Sequence, residues 1–490
     1  MIKNALFYLF KVIVGLFINL YCSRVVLQAL GVEDFGIYVV VSGIAMIATF
    51  INGAMSSATL RYFSMSTDNV KFNNIYISVI NMYILITLFV FIVLYFAKYS
   101  FFHMLDITEP RYESALLAFD FSLLSFVFIM LLTPFNAILL AKEKAKFYFI
   151  SGVSASFLKL FLVIVLINND SDKLVIYSLF VMLVSLFQLI IVYLYVKLRI
   201  SYLKYKCAVY YSEIRVVASF IGWSLFGNLA STGYNQGLSV LLNIYFGTII
   251  NAARGISDQV NNSMLNIVSG LSNAINPKIM QHYAYDKINL FHDLTINGAR
   301  YLFLFCLLFV TLISVNCEFA LSLWLSSFPD KSVTFVQLVL FNSLINSLSF
   351  TLMFSIQSSG KIKYYQLTLG CVLLLNLPLS FLGTFIFNYP EFVFVIMILI
   401  SVFCLALRLA FASYLVQLPI RRFFFETILR CLLVGLLVFI LSILIENEFG
   451  PDFFSLFCQT IFCIIFIFTF GLNKNERSYI FIIIKKLIIK

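Results

Sequence analysis

Apolar residues dominate the chain in long runs separated by short polar connections. The runs fall at 5–30, 36–60, 76–97, 114–141, 147–167, 174–196, 216–246, 252–279, 296–324, 333–358, 364–388, 391–417, 427–445 and 453–471. A helix rising 1.5 Å per residue needs about 20 mostly apolar residues to cross hydrocarbon, and nearly every run meets that length. Helix is the expected form, because a segment in lipid must satisfy its own backbone hydrogen bonds. The pattern therefore predicts an all-α membrane protein of about 14 transmembrane helices, called spans here and numbered in chain order. The longest hydrophilic stretches are 197–215, 280–295 and the C-terminal tail, and none is large enough to fold alone.

Composition agrees. The 490 residues are 62% hydrophobic and 11% charged, with a mean hydropathy of +1.01, far from the balance of a water-soluble domain. The first run is too long for a signal-peptide core and carries Lys11 and Arg24, so it is expected to remain as span 1. The nine cysteines lie scattered without a CxxC or a His-Cys cluster, which argues against a disulfide framework or a metal site.

The net charge of +11 reports orientation in such a chain. Lys and Arg gather in the even-numbered connections and at the two ends, as in Lys142, Lys144 and Lys146 after span 4. The connection after span 13 holds only the acids Glu446, Glu448 and Asp452. By the positive-inside rule both termini are expected to be cytoplasmic.

A weak internal repeat is visible. "ALGVEDFGIYVVVSGI", joining spans 1 and 2, pairs with "YFGTIINAARGISDQV", joining spans 7 and 8, so that Gly31 and Gly247 correspond. "ILLAKEKAKFYFISG" after span 4 pairs with "FSIQSSGKIKYYQLTLG" after span 10 at nearly the same offset. An even number of spans separates the copies, which predicts parallel repeats of the kind found in rocking transporters. The expected division is an N-lobe at 1–197, a cytoplasmic linker at 198–215, a C-lobe at 216–420, and spans 13 and 14 with the tail at 421–490. The last two spans read as uniformly apolar and suited to lipid contact.

Ionisable groups at membrane depth are costly and usually face a cavity or a partner. Lys159 lies about 12 Å, and Asp120 about 9 Å, from the nearer end of its span. They are expected either to pair with each other or to contact substrate. Arg24 lies in the outer part of span 1 and Arg254 opens span 8; taken alone, each suits a side chain snorkelling to headgroups. Their neighbours change the reading. Asn228, Thr232, Asn235, Ser239 and Asn243 form a polar stripe on span 7. Arg254, Asp258, Asn262, Asn266, Ser269 and Asn273 form one on span 8, and Thr49, Asn52, Ser56 and Thr59 lead to Arg61 on span 2.

Such stripes either knit helices together or line a water-filled cavity. A basic, amide-lined cavity suits an anionic, hydroxyl-rich ligand, since guanidinium binds phosphate bidentately and Asn, Ser and Thr exchange hydrogen bonds with sugars. The expected substrate-binding residues are Arg24, Arg61, Arg254, Lys159, Asn228, Thr232, Asn235, Asn262 and Asn266. Asp120 and Asp258 are the candidates for ion coupling. Arg408 in span 12 belongs either to the cavity or to helix packing, and Arg430 reads as a snorkel. No Walker motif, HExxH, GxSxG or clustered acid pair appears, so neither ATP hydrolysis nor conventional catalysis has a visible seat.

"SRVVLQALGVEDFGIYVVVSGIAMIATFINGAMSSATLRYF" at 23–63 resembles the N-terminal signature of the polysaccharide transporter family. This is the O-antigen and capsule flippase branch of the multidrug, oligosaccharidyl-lipid and polysaccharide exporter superfamily. "TPFNAILLAKEKAKFY", "GWSLFGN", "LLNIYFGTIINAARGISDQV" and "NAINPKIM" extend the resemblance to about residue 365. The resemblance implies a V-shaped pair of six-helix lobes and alternating access. It implies export of an undecaprenyl-diphosphate-linked oligosaccharide from the cytoplasmic to the periplasmic leaflet of the bacterial inner membrane, in O-antigen, lipopolysaccharide or capsular polysaccharide biosynthesis. Arg24, Arg61 and Arg254 match its cationic cavity positions.

Many such flippases have twelve helices, so spans 13 and 14 are a departure similar to the extra pair of the lipid II flippases. No cofactor is expected, although a proton or sodium gradient or the membrane potential could be coupled. Expected partners are the lipid-linked oligosaccharide and membrane lipids, with a polysaccharide polymerase and a chain-length regulator as candidates and no nucleic acid. The competing readings are a drug exporter of the same superfamily, which would favour buried carboxylates, and a membrane-embedded polysaccharide polymerase, which would need a sizeable outer loop.

Overall fold

A computed structural model describes residues 2–47, 49–66, 68–103, 109–167, 172–200, 203, 210–325, 328–473 and 476–478. Residues 201, 202 and 204–209 of the expected linker at 198–215 and most of the C-terminal tail lie outside them, and α7 begins within that linker, at Tyr211. The described residues contain helices and no strand. The chain divides into two compact units, Met1–Leu229 and Ala230–Lys490, each described by itself below.

The first unit contains α1 (Ile2–Ile47), α2 (Thr49–Met65), α3 (Asn69–His103), α4 (Glu109–Ala141), α5 (Ala145–Ile167), α6 (Lys173–Arg199) and the start of α7 (Tyr211–Ala284). The second holds the rest of α7, then α8 (Ile288–Val315), α9 (Cys317–Trp324), α10 (Ser332–Ser359), α11 (Lys363–Leu374) and α12 (Asn376–Phe387). It ends with α13 (Glu391–Val416), α14 (Ile420–Phe423), α15 (Arg430–Phe449) and α16 (Phe453–Phe466). π-helical turns at Phe424–Leu429 and Ile467–Gly471 follow α14 and α16.

Eleven stretches of these helices are long and apolar enough to cross a membrane. The remaining three expected spans are also helical. Span 2 runs through the end of α1 and through α2, on either side of residue 48, which is not among the described residues, and spans 7 and 8 both lie in α7, where the polar stripes dilute the hydropathy.

α1 and α7 each contain one break. Gly31 has φ 77° and ψ 175°, and Gly247 has φ 79° and ψ −177°. This backbone region is essentially open only to glycine. No atom lies within 4 Å of where a Cβ would stand at either position, so conformation and not crowding requires glycine. The two residues paired by the sequence repeat thus make the same bend.

Just past Gly31 of α1, the N-terminal ends of α4 and α6 meet that helix at one arginine. Arg111 contacts buried Asp34 at 3.1 Å and Asp172 at 3.3 Å. Asp172 also caps α6, accepting from the backbone N–H of Leu174 and Val175, and takes a hydrogen bond from Ser114 at 2.5 Å. Deeper in this unit, Ser125 and Ser185 link α4 to α6 at 2.7 Å. The long side chain of Lys11 lies against Gly152, with its ammonium 3.2 Å from the centre of the Tyr148 ring.

In the second unit, an apolar core gathers Leu238, Leu242 and Ala253 of α7 with Phe335 of α10 and Phe394 of α13. Lys331 hydrogen-bonds Glu391 at 2.5 Å where α10 and α13 begin, and that carboxylate holds the exposed ammonium above its ordinary lysine value.

The last two spans are not uniformly apolar. One face carries buried Thr427, Ser442, Ser455 and Gln459. Gln459 accepts a 2.7 Å hydrogen bond from Asn316 at the end of α8 and donates to Ser442 and Ser455. Thr427 donates to the carbonyl of Ile296 on α8. Leu432, Leu436, Ile440 and Ile443 on the opposite face are exposed, as lipid contact requires.

Arg430 is not a snorkel either: it donates to the carbonyls of Phe470 and Leu472 and to Asn473, closing the end of span 14. Beside it, fully buried Arg300 pairs with Glu476, which also accepts from Tyr301.

Candidate functional site

The candidates on the first unit occupy separate surroundings. Arg24 is exposed on α1. Arg61 is buried against aromatic rings, its guanidinium carbon 4.7 Å from the Tyr62 ring centre and 5.4 Å from that of Phe220. Asn228 donates to the carbonyl of Phe50 at 3.3 Å, and a Cβ at Gly53 would stand 3.2 Å from its amide nitrogen. Glycine at that position lets α7 and α2 approach closely, so Asn228 serves helix packing as well as polarity. The side chain of Thr49, the first residue of the span 2 stripe, lies outside the described residues.

Asp120 and Lys159 do not pair. Asp120 accepts two hydrogen bonds from Lys98, at 2.8 and 3.0 Å. Lys159 donates instead to Asn19 at 3.1 Å, near Cys22. Lys98 is only 4% exposed and stands one residue beyond the apolar run of span 3, where it reads as a headgroup contact. Depth along a span gives a residue's height but not the face it occupies, which is why the sequence left this partner unseen.

On the second unit, three candidates meet. Arg254, 3% exposed, donates through Nε to Asp258 at 3.3 Å and through Nη2 to the carbonyl of Asn235 at 2.9 Å. Asn235 in turn donates to the carbonyl of Ser231. Helical spacing makes the first contact, since residues four apart share a face. The second crosses the bend at Gly247, which folds the two halves of α7 together. Thr232, Asn262 and Asn266 are exposed, while Asn261 receives a hydrogen bond from Ser343 of α10 at 2.7 Å.

The Asp258 side chain remains 42% exposed while bonded to Arg254. Asp120 is held by Lys98 and is the more constrained of the two acids. Among the described residues no group of three metal-ligating side chains occurs, and the described cysteines are free.

Comparison with known proteins follows this architecture. No family model matches the chain, and no curated protein matches it. Solved structures do. An outward-facing multidrug resistance MATE family transporter of the MOP superfamily gives a TM-score of 0.72 at 13% identity, over 85% of this chain and 96% of that one. The chain has the MATE transporter fold. A MOP superfamily transporter from Pyrococcus furiosus, described by the reverse polarity of its binding pocket, shares that fold with TM-score 0.72, 12% identity and the same coverage. The bent form of the Vibrio cholerae MATE transporter VcmN gives 0.66 at 15% identity, over 85% and 97% of the two chains. At such identities the MATE likeness establishes fold, and the polysaccharide-transporter resemblance remains one of sequence motifs.

Proposed function

We propose that this membrane protein is a secondary-type transporter, not an enzyme, that flips an undecaprenyl-diphosphate-linked oligosaccharide outward by alternating access. The observation that carries the reading is Arg254. It is nearly fully buried, held by Asp258 and a backbone carbonyl, and followed on its helix by exposed Asn262 and Asn266. A fixed guanidinium next to accessible amides suits a phosphate attached to sugars. Arg24 and Arg61 supply further positive charge, and Lys159 is offered as an additional contact.

With the cell interior negative, outward passage of a diphosphate is favoured by roughly 2.3 kcal/mol per charge per 100 mV. The return step is proposed to use a proton or sodium ion through Asp258, with Asp120 second. The proposed seat is the bacterial inner membrane, with both termini cytoplasmic. The proposed working segments are 1–197, 198–215, 216–420 and 421–490.

The test is flipping of lipid-linked oligosaccharide in proteoliposomes. Arg24→Ala and Arg254→Ala are expected to lower the rate at least tenfold while the protein still inserts and elutes as a single species. Wild-type rates in both variants would remove the cationic site.

Drug export is the second reading, favoured by fold neighbours described as MATE transporters. Cells expressing the wild-type chain are expected to gain no resistance to organic cations. Resistance that needs Asp258 would replace the first reading with this one.

A further inference from the structure

A third buried arginine of the C-terminal unit belongs to none of the contacts above. Arg408 stands on α13, about 12 Å from its C-terminal end at 1.5 Å per residue, and is 8% exposed. A guanidinium has five N–H donors and no acceptor. Its hydrogen bond runs from Nη1 to Ser349 Oγ on α10 at 2.9 Å, and buried Nε has no partner. Among the described residues no carboxylate pairs with it.

The surroundings add donors and no anion. Ser349 is 2% exposed, and its oxygen already accepts from Arg408, so its own proton is directed elsewhere. The phenol oxygen of Tyr365, 2% exposed, also accepts from the guanidinium, which leaves its own O–H free to donate. Tyr234 lies within electrostatic reach of both Arg408 and Arg254. Cys404, 1% exposed, is one turn away on α13.

Arg300 shows how this chain otherwise treats a buried arginine. Its Nε is also without a partner, but its charge is met by a carboxylate, Glu476, and by the carbonyl of Glu426. A buried charge left unpaired is strongly destabilising, and arginine does not escape by losing its proton. The remaining solution is an anion from outside the chain.

We propose that the C-terminal unit holds a small inorganic anion of the halide class, seated on Arg408 Nε with the Ser349 hydroxyl and the Tyr365 phenol as further donors. The burial of Arg408, Ser349 and Tyr365 favours a monovalent ion, because dehydrating a multivalent phosphate costs far more. The bound ion cancels the charge that α13 carries into the membrane. The proposal does not depend on which molecule the protein moves, so it is tested without any lipid-linked substrate.

The experiment measures the melting temperature of purified full-length protein in detergent, titrating chloride or bromide against gluconate at constant ionic strength. A ligand that binds only the folded state stabilises it saturably. The wild type is expected to gain a few degrees in either halide, and Arg408→Gln to lose that gain, while Arg24→Ala keeps it even though its flipping is lost. Equal melting in halide and gluconate would overturn the proposal, as would an undiminished halide response in Arg408→Gln or stabilisation by phosphate alone. Should Arg408→Gln fail to fold, anomalous diffraction from bromide-soaked wild-type crystals decides the matter. A bromide peak within hydrogen-bonding distance of the Arg408 guanidinium is expected, and its absence refutes the site.

Discussion

Asp120 shows how depth along a span can state what a residue needs without naming what meets it. Its depth in α4 calls for a nearby cation, and Lys98 supplies one at 2.8 Å, with the Tyr95 ring 4.4 Å from the same ammonium. Removing one partner of a buried pair strands the other charge. Lys98 is 5% exposed but Asp120 is 35% exposed as a side chain, so water screens some of the penalty. Asp120→Asn is expected to cost about 1–3 kcal/mol, seen as a lower melting temperature in detergent, with the Lys98→Met/Asp120→Leu double variant less affected. Unchanged stability together with lost transport would instead make Asp120 a coupling residue. Lys159 could not be placed from sequence for the same geometric reason: its neighbour Asn19 is 140 residues away, and nothing in a single span's periodicity says which neighbouring helix a side chain meets.

At the scale of elements, the bends at Gly31 and Gly247 were legible only as a pair. Either glycine alone is an ordinary small residue, while their common place in two related segments marks a shared backbone requirement. The second pairing behaves similarly, since Glu143 and Gly360, which end α4 and α10, both take positive φ, 54° and 76°. Gly31→Ala and Gly247→Ala are each expected to destabilise the protein by about 1–3 kcal/mol through backbone strain alone. Gly152→Ala is a contrast, because the atoms it meets are the flexible end of Lys11; it should shift that side chain off Tyr148 with little loss of stability. Detergent melting of the three variants separates the two kinds of glycine, and equal effects would remove the distinction.

The polar face of the last two spans was hidden by their high apolar content. One glutamine among many phenylalanines barely moves a hydropathy average, yet Gln459 is fully buried and joins Asn316, Ser442 and Ser455. Gln459→Leu leaves the Asn316 amide with only the Leu312 carbonyl to donate to and is expected to cost about 1–3 kcal/mol, partly recovered by adding Asn316→Leu.

For the molecule as a whole, the number and order of helices followed from run length, because a bilayer imposes one thickness on every crossing. Spans 7 and 8, which carry two of the polar stripes, fall short of that apolar standard, which is itself a sign that they serve something other than lipid. Orientation can be checked with single cysteines in a background lacking the native ones. A cysteine at Glu448 is expected to react with an impermeant reagent on intact spheroplasts, and one at Lys144 only after lysis. The opposite pattern would invert the topology and, with it, the proposed direction of transport.

One contact also bears on how the chain is made. Arg300 is synthesised 176 residues before Glu476, the carboxylate that neutralises it. While the ribosome is still producing the intervening helices, α8 must wait with an unmatched charge, shielded by water, lipid headgroups or the insertion machinery. The C-terminal unit therefore cannot reach its final state until its last turn emerges, and translation that stalls shortly before Glu476 should leave a protein whose earlier helices are all present but which cell quality control treats as unfinished.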